Sequence, residues 1–238
     1  MRFSPTSVAL GKPINFRAAD DVQKFALGTR ITAVDQDYSS VANVPNGGGG
    51  EFVYVKGAST FIPGRLVHVD KDWNLLDVPN TASTCRPCFV AVSGFTSTHL
   101  YGWVQRSGMV PIATSTAGST GALYIGAAGQ VTTTQANGKQ ILNATSLIAG
   151  SGSFTRSIKT VNNSKFVQVN DVTGMFVGQA VSGTGVAASS TIADIDPSGQ
   201  AITLNNACTA SGSVTGTFTH TGYVIAHIEN PFVQGQIV

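Results

Sequence analysis

The sequence predicts an all-β protein, with a β-barrel or sandwich domain, an inserted small β-sandwich (Ig-like) domain and an extended N-terminal arm. Helical periodicity is nearly absent from the 238 residues. Instead, short runs rich in β-branched and aromatic residues alternate with turn residues, which is typical of a barrel or a sandwich. From about residue 151 to residue 221 the composition shifts toward Ser, Thr and Gly and almost loses its aromatic residues.

Residues 1–50 are predicted to form the arm and a linker. Their apolar residues follow no strong period: Phe3, Phe16, Phe25 and Leu27. Asn46 and the four glycines after it indicate a flexible hinge. Such a segment suits an arm that packs on a partner, and irregular core of the chain's own domain is the alternative. Ala18 to Leu27 is the best helical candidate, although it could equally be part of an ordered arm.

Residues 51–150 together with 222–238 are predicted to form the first β domain. Its β-type runs are Glu51–Lys56, Leu66–Val69, Phe89–Val92, Gly102–Gln105, Met109–Ala113, Leu123–Ile125, Gln130–Thr133 and Gln140–Ala144. Glycines such as Gly64 and Gly108, and the Asn137-Gly138 pair, are predicted to turn the chain between them. The run Tyr223–Ile228 returns to the apolar alternation of this domain, so it is predicted to be the closing strand.

Residues 151–221 are predicted to be a β module spliced into the last hairpin of that domain. The module has β-type runs of its own: Lys165–Val169, Gln179–Val181, Thr191–Ile195, Ala201–Leu204 and Ser213–Thr219. Exposed hairpin tips tolerate domain insertion, and the module is within the usual size range of a domain. Two sequential domains followed by a C-terminal tail are the alternative.

The composition argues against several kinds of partner. Charged residues make up only 11% of the chain, the formal net charge is +2, and no cluster of Lys and Arg stands out. Phosphate binding needs a concentrated basic face, so no nucleic-acid partner is expected. No stretch approaches the roughly 20 apolar residues that span a bilayer.

The N-terminus lacks the apolar core of a secretion signal, and an odd count of three cysteines does not suit a disulfide scaffold. We therefore expect the product to stay in the cytoplasm where it is made.

The stretch "STCRPCFVAV" holds the most chemical-looking pair, Cys85 and Cys88. A structural zinc site commonly needs two such pairs, and the third cysteine, Cys208, lies in the predicted insertion. A redox motif needs a helix after its first cysteine to lower the thiol pKa, whereas a strand is predicted at Phe89–Val92. We therefore predict a loop that leads into a strand, with Cys88 as a small buried apolar residue.

No other constellation indicates catalysis. The histidines fall at no metal-ligand spacing: His68, His99, His220 and His227. The paired carboxylates could serve glycoside hydrolysis, but most flank predicted turns, where Asp caps backbone N–H groups: Asp20 with Asp21, Asp35 with Asp37, and Asp70 with Asp72. We predict that the protein is not an enzyme and uses no metal and no cofactor.

A series of motifs in the first domain resembles the capsid decoration (cement) proteins of tailed bacteriophages. It begins with "ALGTRITAVDQDY" and "GEFVYVKG", continues through "PGRLVHVD", "NTASTCRPCFVAVSG", "YGWVQRSGMVPI", "GALYIGAAGQVTT" and "GKQILNA", and ends in "GYVIAHIENPFVQGQ". The series covers about Phe25 to Leu147 and Gly222 to Gln236. The insertion has a resemblance of its own, since "GMFVGQAVSGTG" and "TLNNACTASG" are similar to small β modules of phage virion proteins.

These resemblances imply a structural virion protein that is made in the host cytoplasm. It would bind the outer surface of a phage capsid and bridge subunits of the major capsid protein, as a homotrimer. The arm and the first domain would contact the capsid, through Phe3, Phe16, Phe25 and Leu27, while the insertion would point outward. The alternative is a head-fibre or tail accessory adhesin that binds a host-surface carbohydrate, through the insertion or through a patch of Tyr101 and Trp103. The alternation of "YGWVQ" favours a core strand over such an exposed patch.

Overall fold

The computed structural model describes residues 14–34, 49–58, 60–116, 118–149, 151–172, 174–196 and 199–235. In these ranges the chain is all-β, as predicted, and forms strands without any helix. No helix long and apolar enough to cross a bilayer is found in the same part of the chain. Ala18 to Leu27, the best helical candidate of the sequence, contains no helix. The stretch is irregular, and Ala18 and Asp20 form isolated β-bridges to Gly94 and Tyr101.

The chain first forms nine strands of a ten-stranded sheet. They are β1 (Arg30–Val34), β2 (Gly49–Lys56), β3 (Leu66–Val69), β4 (Leu75–Asp77), β5 (Phe89–Ala91), β6 (Tyr101–Ala113), β7 (Gly121–Ile125), β8 (Val131–Thr132) and β9 (Gln140–Ile148). Next come the six strands of a second sheet: β10 (Ser151–Thr160), β11 (Phe166–Val169), β12 (Ala180–Ser182), β13 (Ser190–Ile195), β14 (Ala201–Leu204) and β15 (Gly212–Thr221). The last strand, β16 (Tyr223–Val233), returns to the first sheet.

The first sheet has the strand order β4-β3-β5-β6-β16-β9-β7-β8, and β1 and β2 continue it beyond β6. The sheet curves until its two ends meet. There the N–H of Leu66 donates to the carbonyl of Gly129, and the N–H of Gly129 donates to the carbonyl of Val78, both at 2.9 Å. Apolar side chains on the inner face form one core: Leu66, Val78, Cys88, Val90, Val110, Ile112, Leu123, Ile125, Val131, Ile141, Ala144, Val224, Ala226, Ile228 and Val233.

Strand β6 is a single long strand where the sequence predicts two strands and a turn at Gly108. Gly108 adopts a left-handed φ of 99° but stays within the strand, because β2 and β16 both pair with it. A Cβ at this position would lie 2.1 Å from the carbonyl oxygen of Gly49. Position 108 therefore requires glycine because two backbones approach closely there, and not because the chain changes direction.

The second sheet closes into a six-stranded barrel with the order β10-β11-β14-β13-β12-β15. The Ig-like sandwich expected for the insertion is thus not confirmed, since a closed barrel has a different strand arrangement. The core is separate from that of the first sheet: Ile158, Val167, Val169, Val172, Met175, Val181, Ile192, Ile195, Ile202, Leu204, Cys208 and Phe218.

One two-stranded ribbon joins the two sheets. Strand β9 pairs with β16 up to Ile148 and Ile225, and β10 pairs with β15 from Ser151 and Thr221 onward. The chain thus leaves the first sheet at the end of β9, completes the closed barrel and re-enters beside the strand that it left. Because β16 supplies Val224, Ala226 and Ile228 to the first core, that core is complete only after the whole closed barrel has been synthesised.

We expect that the closed barrel can unfold while the first sheet stays folded, because the two cores share no residue. Ile158→Asp would place an unpaired charge at a site that is 2% exposed and should destabilise the closed barrel by about 3–5 kcal/mol. Amide hydrogen exchange should then show lost protection in β10–β15 and retained protection in β6, β9 and β16. Ser157→Asp, at the exposed neighbouring position, is the matched control. Simultaneous loss of protection in β9 and β16 would contradict independent cores.

Candidate partner-binding surfaces

Segment 14–34 packs on the first sheet through an aromatic cluster, which consists of Phe16, Phe25, Phe52, Tyr54 and Trp103. The rings of Phe16 and Phe52 are stacked with centroids 4.2 Å apart, and Phe16 meets Trp103 edge-on at 5.5 Å. Phe25 lies 5.2 Å from Tyr54 and 5.4 Å from Trp103. These separations are within the range of favourable ring contacts, so the cluster fixes the segment on the sheet.

Hydrogen bonds to backbone atoms hold the same segment on the sheet. The hydroxyl of Ser93 donates to the carbonyl of Phe16 at 2.6 Å and accepts from the N–H of Trp103 at 2.8 Å. Asp20 and Tyr101 exchange two backbone hydrogen bonds, of 2.6 and 3.1 Å. Segment 14–34 therefore belongs to the sheet, as an irregular border over residues 14–29 and as β1 from Arg30. It is not a free arm, and the sequence left this alternative open.

The hydroxyl of Tyr54 links the aromatic cluster to charged residues of the segment. It donates to the carboxylate of Asp20 at 3.0 Å and accepts from the N–H of Lys24 at 3.2 Å. The Lys24 ammonium also pairs with Asp20. Burial raises the pKa of Tyr54 to about 12, and the Asp20 carboxylate adds to this rise while the Lys24 N–H opposes it. The phenol is thus held neutral as a donor to Asp20.

The four predicted capsid contacts have different environments. Phe16 is 4% exposed, because its side chain packs inside the aromatic cluster. Phe25 and Leu27 are half-buried against the aromatic cluster and keep part of their surface, while Phe3 lies outside the described residues. Contact of these side chains with a capsid stays a prediction, and Phe25 and Leu27 are the two described positions that could make it without leaving the sheet.

The patch of Tyr101 and Trp103 considered for sugar stacking does not exist as a surface. Trp103 is 1% exposed and belongs to the aromatic cluster. Tyr101 is half-buried, and the Lys56 ammonium lies 5.9 Å from its ring centroid. The core strand that the sequence favours for this stretch is confirmed at Trp103, because Phe16 and Phe25 of segment 14–34 pack on the indole.

The Cys-x-x-Cys stretch is a loop leading into β5, as the sequence predicts. All three cysteines are free. Cys85 is exposed, whereas burial of Cys88 raises the pKa of its thiol to about 12. The N–H of Cys88 donates to the carbonyl of Pro231 at 2.9 Å, which ties the loop to β16. Among the described residues, no group of three or more His, Cys, Asp or Glu side chains is placed to hold a metal ion.

The histidines of the first sheet lie apart from one another. His68 is buried on β3, and one ring nitrogen, Nδ1, is 2.8 Å from the carbonyl oxygen of Pro87. Burial lowers the pKa of His68, the Pro87 hydrogen bond opposes this, and the charge of Arg86 lowers it further. His99 is exposed in a loop, where its Nδ1 lies 3.0 Å from the hydroxyl of Thr98. His227 is exposed on β16, and the side chain of His220 is outside the described part.

The carboxylate pairs serve local structure where they are described. One oxygen of Asp70 accepts from the N–H of Asp72 at 2.8 Å and of Asn74 at 2.9 Å, so the predicted capping role in a turn is confirmed. Hydrogen bonds from Asn74 lower the pKa of the Asp70 carboxyl. Asp20 is engaged by Tyr54 and Lys24, and Asp35 and Asp37 lie outside the described residues.

The described residues line at least three surface grooves that are large enough to hold a ligand. One of about 310 Å³ lies beside Cys88 and Phe232. Another of about 610 Å³ lies on the closed barrel beside Phe166. The third, of about 540 Å³, is named the amide groove here, and its side chains are Ser83, Tyr124, Gln135, Ala136, Asn137, Gln140 and Gln234, together with Gly138. Phe16, Phe25 and Leu27, the described ones among the four predicted contact residues, do not line these grooves.

The residues of the amide groove carried no signal in the sequence. Ser83, Tyr124, Gln140 and Gln234 belong to separate loops and strands, and only the strand pairing brings them together. The single local hint is the Asn137-Gly138 pair, which indicates a turn but not what faces it.

Comparison with known proteins gives no assignment. No protein-family model matches the chain, and no curated protein and no solved structure matches it either. Function is therefore inferred from the residues and their geometry.

Thiol modification should distinguish the three cysteines. We expect iodoacetamide to modify Cys85 in the folded protein, whereas Cys88 and Cys208 should react only after unfolding. Burial raises the pKa of both buried thiols, and the thiolate is the reactive species. Peptide mass spectrometry with and without urea measures the reaction at each site. Rapid modification of Cys88 in the folded protein would contradict the buried position.

Tyr54→Phe should remove a pH-dependent part of the stability. The pKa of the phenol is about 12 in the folded protein against an ordinary value of 10.0. The folded state therefore retains this proton more strongly, and the resulting stabilisation is complete below pH 10 and lost as the pH rises through 12. The variant should be less stable by about 1–2 kcal/mol at neutral pH, because it loses a hydrogen bond to a carboxylate.

Urea unfolding of both proteins as the pH rises from 10 toward 12 measures this contribution, as the difference between their free energies of unfolding. That difference should shrink over the window. Tyr124→Phe is the matched control, since the Tyr124 hydroxyl makes no hydrogen bond within the described chain. A difference that stays constant with pH would show that Tyr54 retains no extra proton affinity in the folded state.

Proposed function

We propose that this protein is a structural virion protein, without catalytic activity, that binds the outer surface of a phage capsid and bridges subunits of the major capsid protein. One observation carries the proposal. The two stretches that resemble decoration proteins, separated in sequence by the insertion, pair with each other to form a single sheet. The insertion, whose resemblance is to a different kind of virion module, forms a closed barrel of its own.

Three of the motifs form strands of that sheet. The stretch "GEFVYVKG" becomes β2, "YGWVQRSGMVPI" becomes β6, and "GYVIAHIENPFVQGQ" contains β16. Strand β6 pairs with β2 along its first half and with β16 along its second half. The series is thus a set of residues that builds one core rather than a collection of unrelated matches, which supports its use as an indication of function.

A bridging role agrees with the physical properties of the scaffold. A protein that binds neighbouring subunits of a closed shell stabilises the shell by its binding free energy, repeated over many copies. A homotrimer is proposed because capsid three-fold positions favour symmetric partners. Among the described strands, β1 pairs only with β2, so its outer edge can accept a strand from a neighbouring copy or subunit.

Capsid contact is assigned to the first sheet and its N-terminal segment, and the insertion is proposed to point outward. The closed barrel is attached through one ribbon, formed by β9 with β16 and β10 with β15. Insertions are tolerated where they do not interrupt an interface. Phe25 and Leu27 are the described candidates for contact, since each keeps part of its surface exposed.

The second candidate function is an adhesin that binds a host-surface carbohydrate through the insertion. The observation in its favour is Phe166, which is 49% exposed on β11. Gln168 and Asn170 follow at alternate positions and are also exposed, so the three side chains lie on the outer face of the closed barrel. An exposed ring beside amides suits the apolar and polar faces of a sugar.

Binding to phage heads that lack the protein tests the leading proposal. We expect saturable binding, and we expect a variant without residues 151–221 to bind as well. Phe25→Ala combined with Leu27→Ala should weaken binding about tenfold or more, because contact residues near an interface centre carry most of the affinity. Leu76→Ala, at a 45% exposed position on β4, is the matched control, and thermal melting checks that each variant is folded.

Absence of saturable binding would rule out the decoration role. Loss of binding on deletion of the insertion would instead assign the insertion to the interface. Mass spectrometry of purified virions provides the copy number relative to the major capsid protein. Hundreds of copies are expected for a head decoration, and a handful would indicate a tail or vertex component.

A further inference from the structure

The amide groove lies in the first sheet, and the described residues that line it include no charged side chain. Its floor is a row across neighbouring strands. Tyr124 on β7 is paired with Gln140 on β9, and the N–H of Gln234, just after β16, donates to the carbonyl of Gln140 at 2.8 Å. Directly paired residues point to the same face of a sheet. The neighbouring residues Ile141 and Val233 point the other way into the core, so the three floor side chains point outward.

Two loops form the rim of the groove. The Asn137-Gly138 turn lies against Ser83, whose N–H donates to the carbonyl of Gly138 at 2.7 Å. The ammonium of Lys139 donates to the side-chain oxygen of Asn80 at 2.8 Å, which ties the same two loops together a second time. Ser83 has a φ of 58°, in the left-handed region that serine rarely adopts. Such conformations persist only where the surroundings enforce them, and they concentrate at binding sites.

The amides in the groove have unused hydrogen-bonding capacity. Gln135, Asn137, Gln140 and Gln234 make no side-chain hydrogen bond to any described residue. Each amide offers two N–H donors and a carbonyl acceptor. Tyr124 adds an aromatic face and a hydroxyl, and this hydroxyl also makes no hydrogen bond within the described chain. The groove therefore presents both hydrogen-bond donors and acceptors around the ring of Tyr124. Its volume of about 540 Å³ is within the usual range of small-molecule sites.

This chemistry selects among classes of ligand. A phosphate or sulfate group is held most strongly by cationic side chains, and none is among the described residues of the lining. An extended peptide binds best at an unpaired sheet edge, whereas the backbone of the groove floor is already paired between strands. Adjacent hydroxyl groups of a sugar both donate and accept, which matches an amide, and the apolar face of a pyranose ring can pack on a tyrosine ring.

We propose that the amide groove is a binding site for a neutral carbohydrate, with Tyr124 as the stacking residue and the side-chain amides of Gln140 and Gln234 as hydrogen-bonding partners. The site belongs to the first sheet and is separate from the Phe166 surface of the insertion. It does not depend on the proposed capsid role, because it is argued only from the residues that line the groove.

An array of neutral and acidic oligosaccharides, probed with the full chain, tests the proposal. Wild-type protein should bind neutral members. Gln140→Ala combined with Gln234→Ala should weaken that binding about tenfold or more, because two hydrogen bonds are lost. Tyr124→Ala should have a similar effect, while Tyr124→Phe keeps the ring and should retain most of the affinity. Ala136→Trp should block the groove without removing any amide, and thermal melting verifies folding of every variant.

Gln168→Ala, which removes an exposed amide from the insertion, is the matched control and should bind as wild type does. Binding that is lost in this control would locate the carbohydrate site on the insertion and overturn the proposal. No binding to any neutral oligosaccharide, or binding to acidic ones alone, would overturn it as well. The groove variants should still bind phage heads that lack the protein. If they lose head binding, and the wild-type protein binds no carbohydrate, the groove is a protein interface and the proposal is overturned.

Discussion

The pairing of β16 with both β6 and β9 is the interaction on which the rest of the structure depends. Strand β16 places Val224, Ala226, Ile228 and Val233 in the core of the first sheet and joins strands that would otherwise be edges. It also holds the Cys88 loop through Pro231 and completes the floor of the amide groove beside Gln140. Because β16 follows the insertion in the chain, this pairing is non-local, and such contacts form late and slowly in folding.

The second constraint is the packing of segment 14–34 on the outer part of the sheet. Aromatic contacts with Phe52 and Trp103, together with the hydrogen bonds of Tyr54 and Ser93, convert an irregular segment into part of the core. The same contacts restrict what the segment can offer to a partner. Phe16 is used within the chain, so recognition of another protein falls to the half-buried Phe25 and Leu27 and to the outer edge of β1.

Three residues that look reactive in the sequence have structural roles, whereas the candidate binding residues belong to no motif there. Cys88 is a buried apolar residue, His68 is fixed by Pro87, and Asp70 caps a turn. The amide groove is built from glutamines, asparagine and tyrosine that form no motif. Its chemistry comes from leaving those groups unpaired at one place on the surface, since an amide that is already paired cannot bind a ligand.

By itself, the sequence determined the all-β class, most strand positions and the place of the insertion, because alternation and turn residues are local properties of the chain. It also predicted the turn at Asp70 and the buried position of Cys88. Only the tertiary structure decided that Gly108 lies inside a strand, that Phe16 is core and that the insertion closes into a barrel. It alone brought Ser83, Tyr124, Gln140 and Gln234 to one groove. These features depend on which strands pair, and strand pairing joins residues far apart in sequence whose local patterns contain no record of their partners.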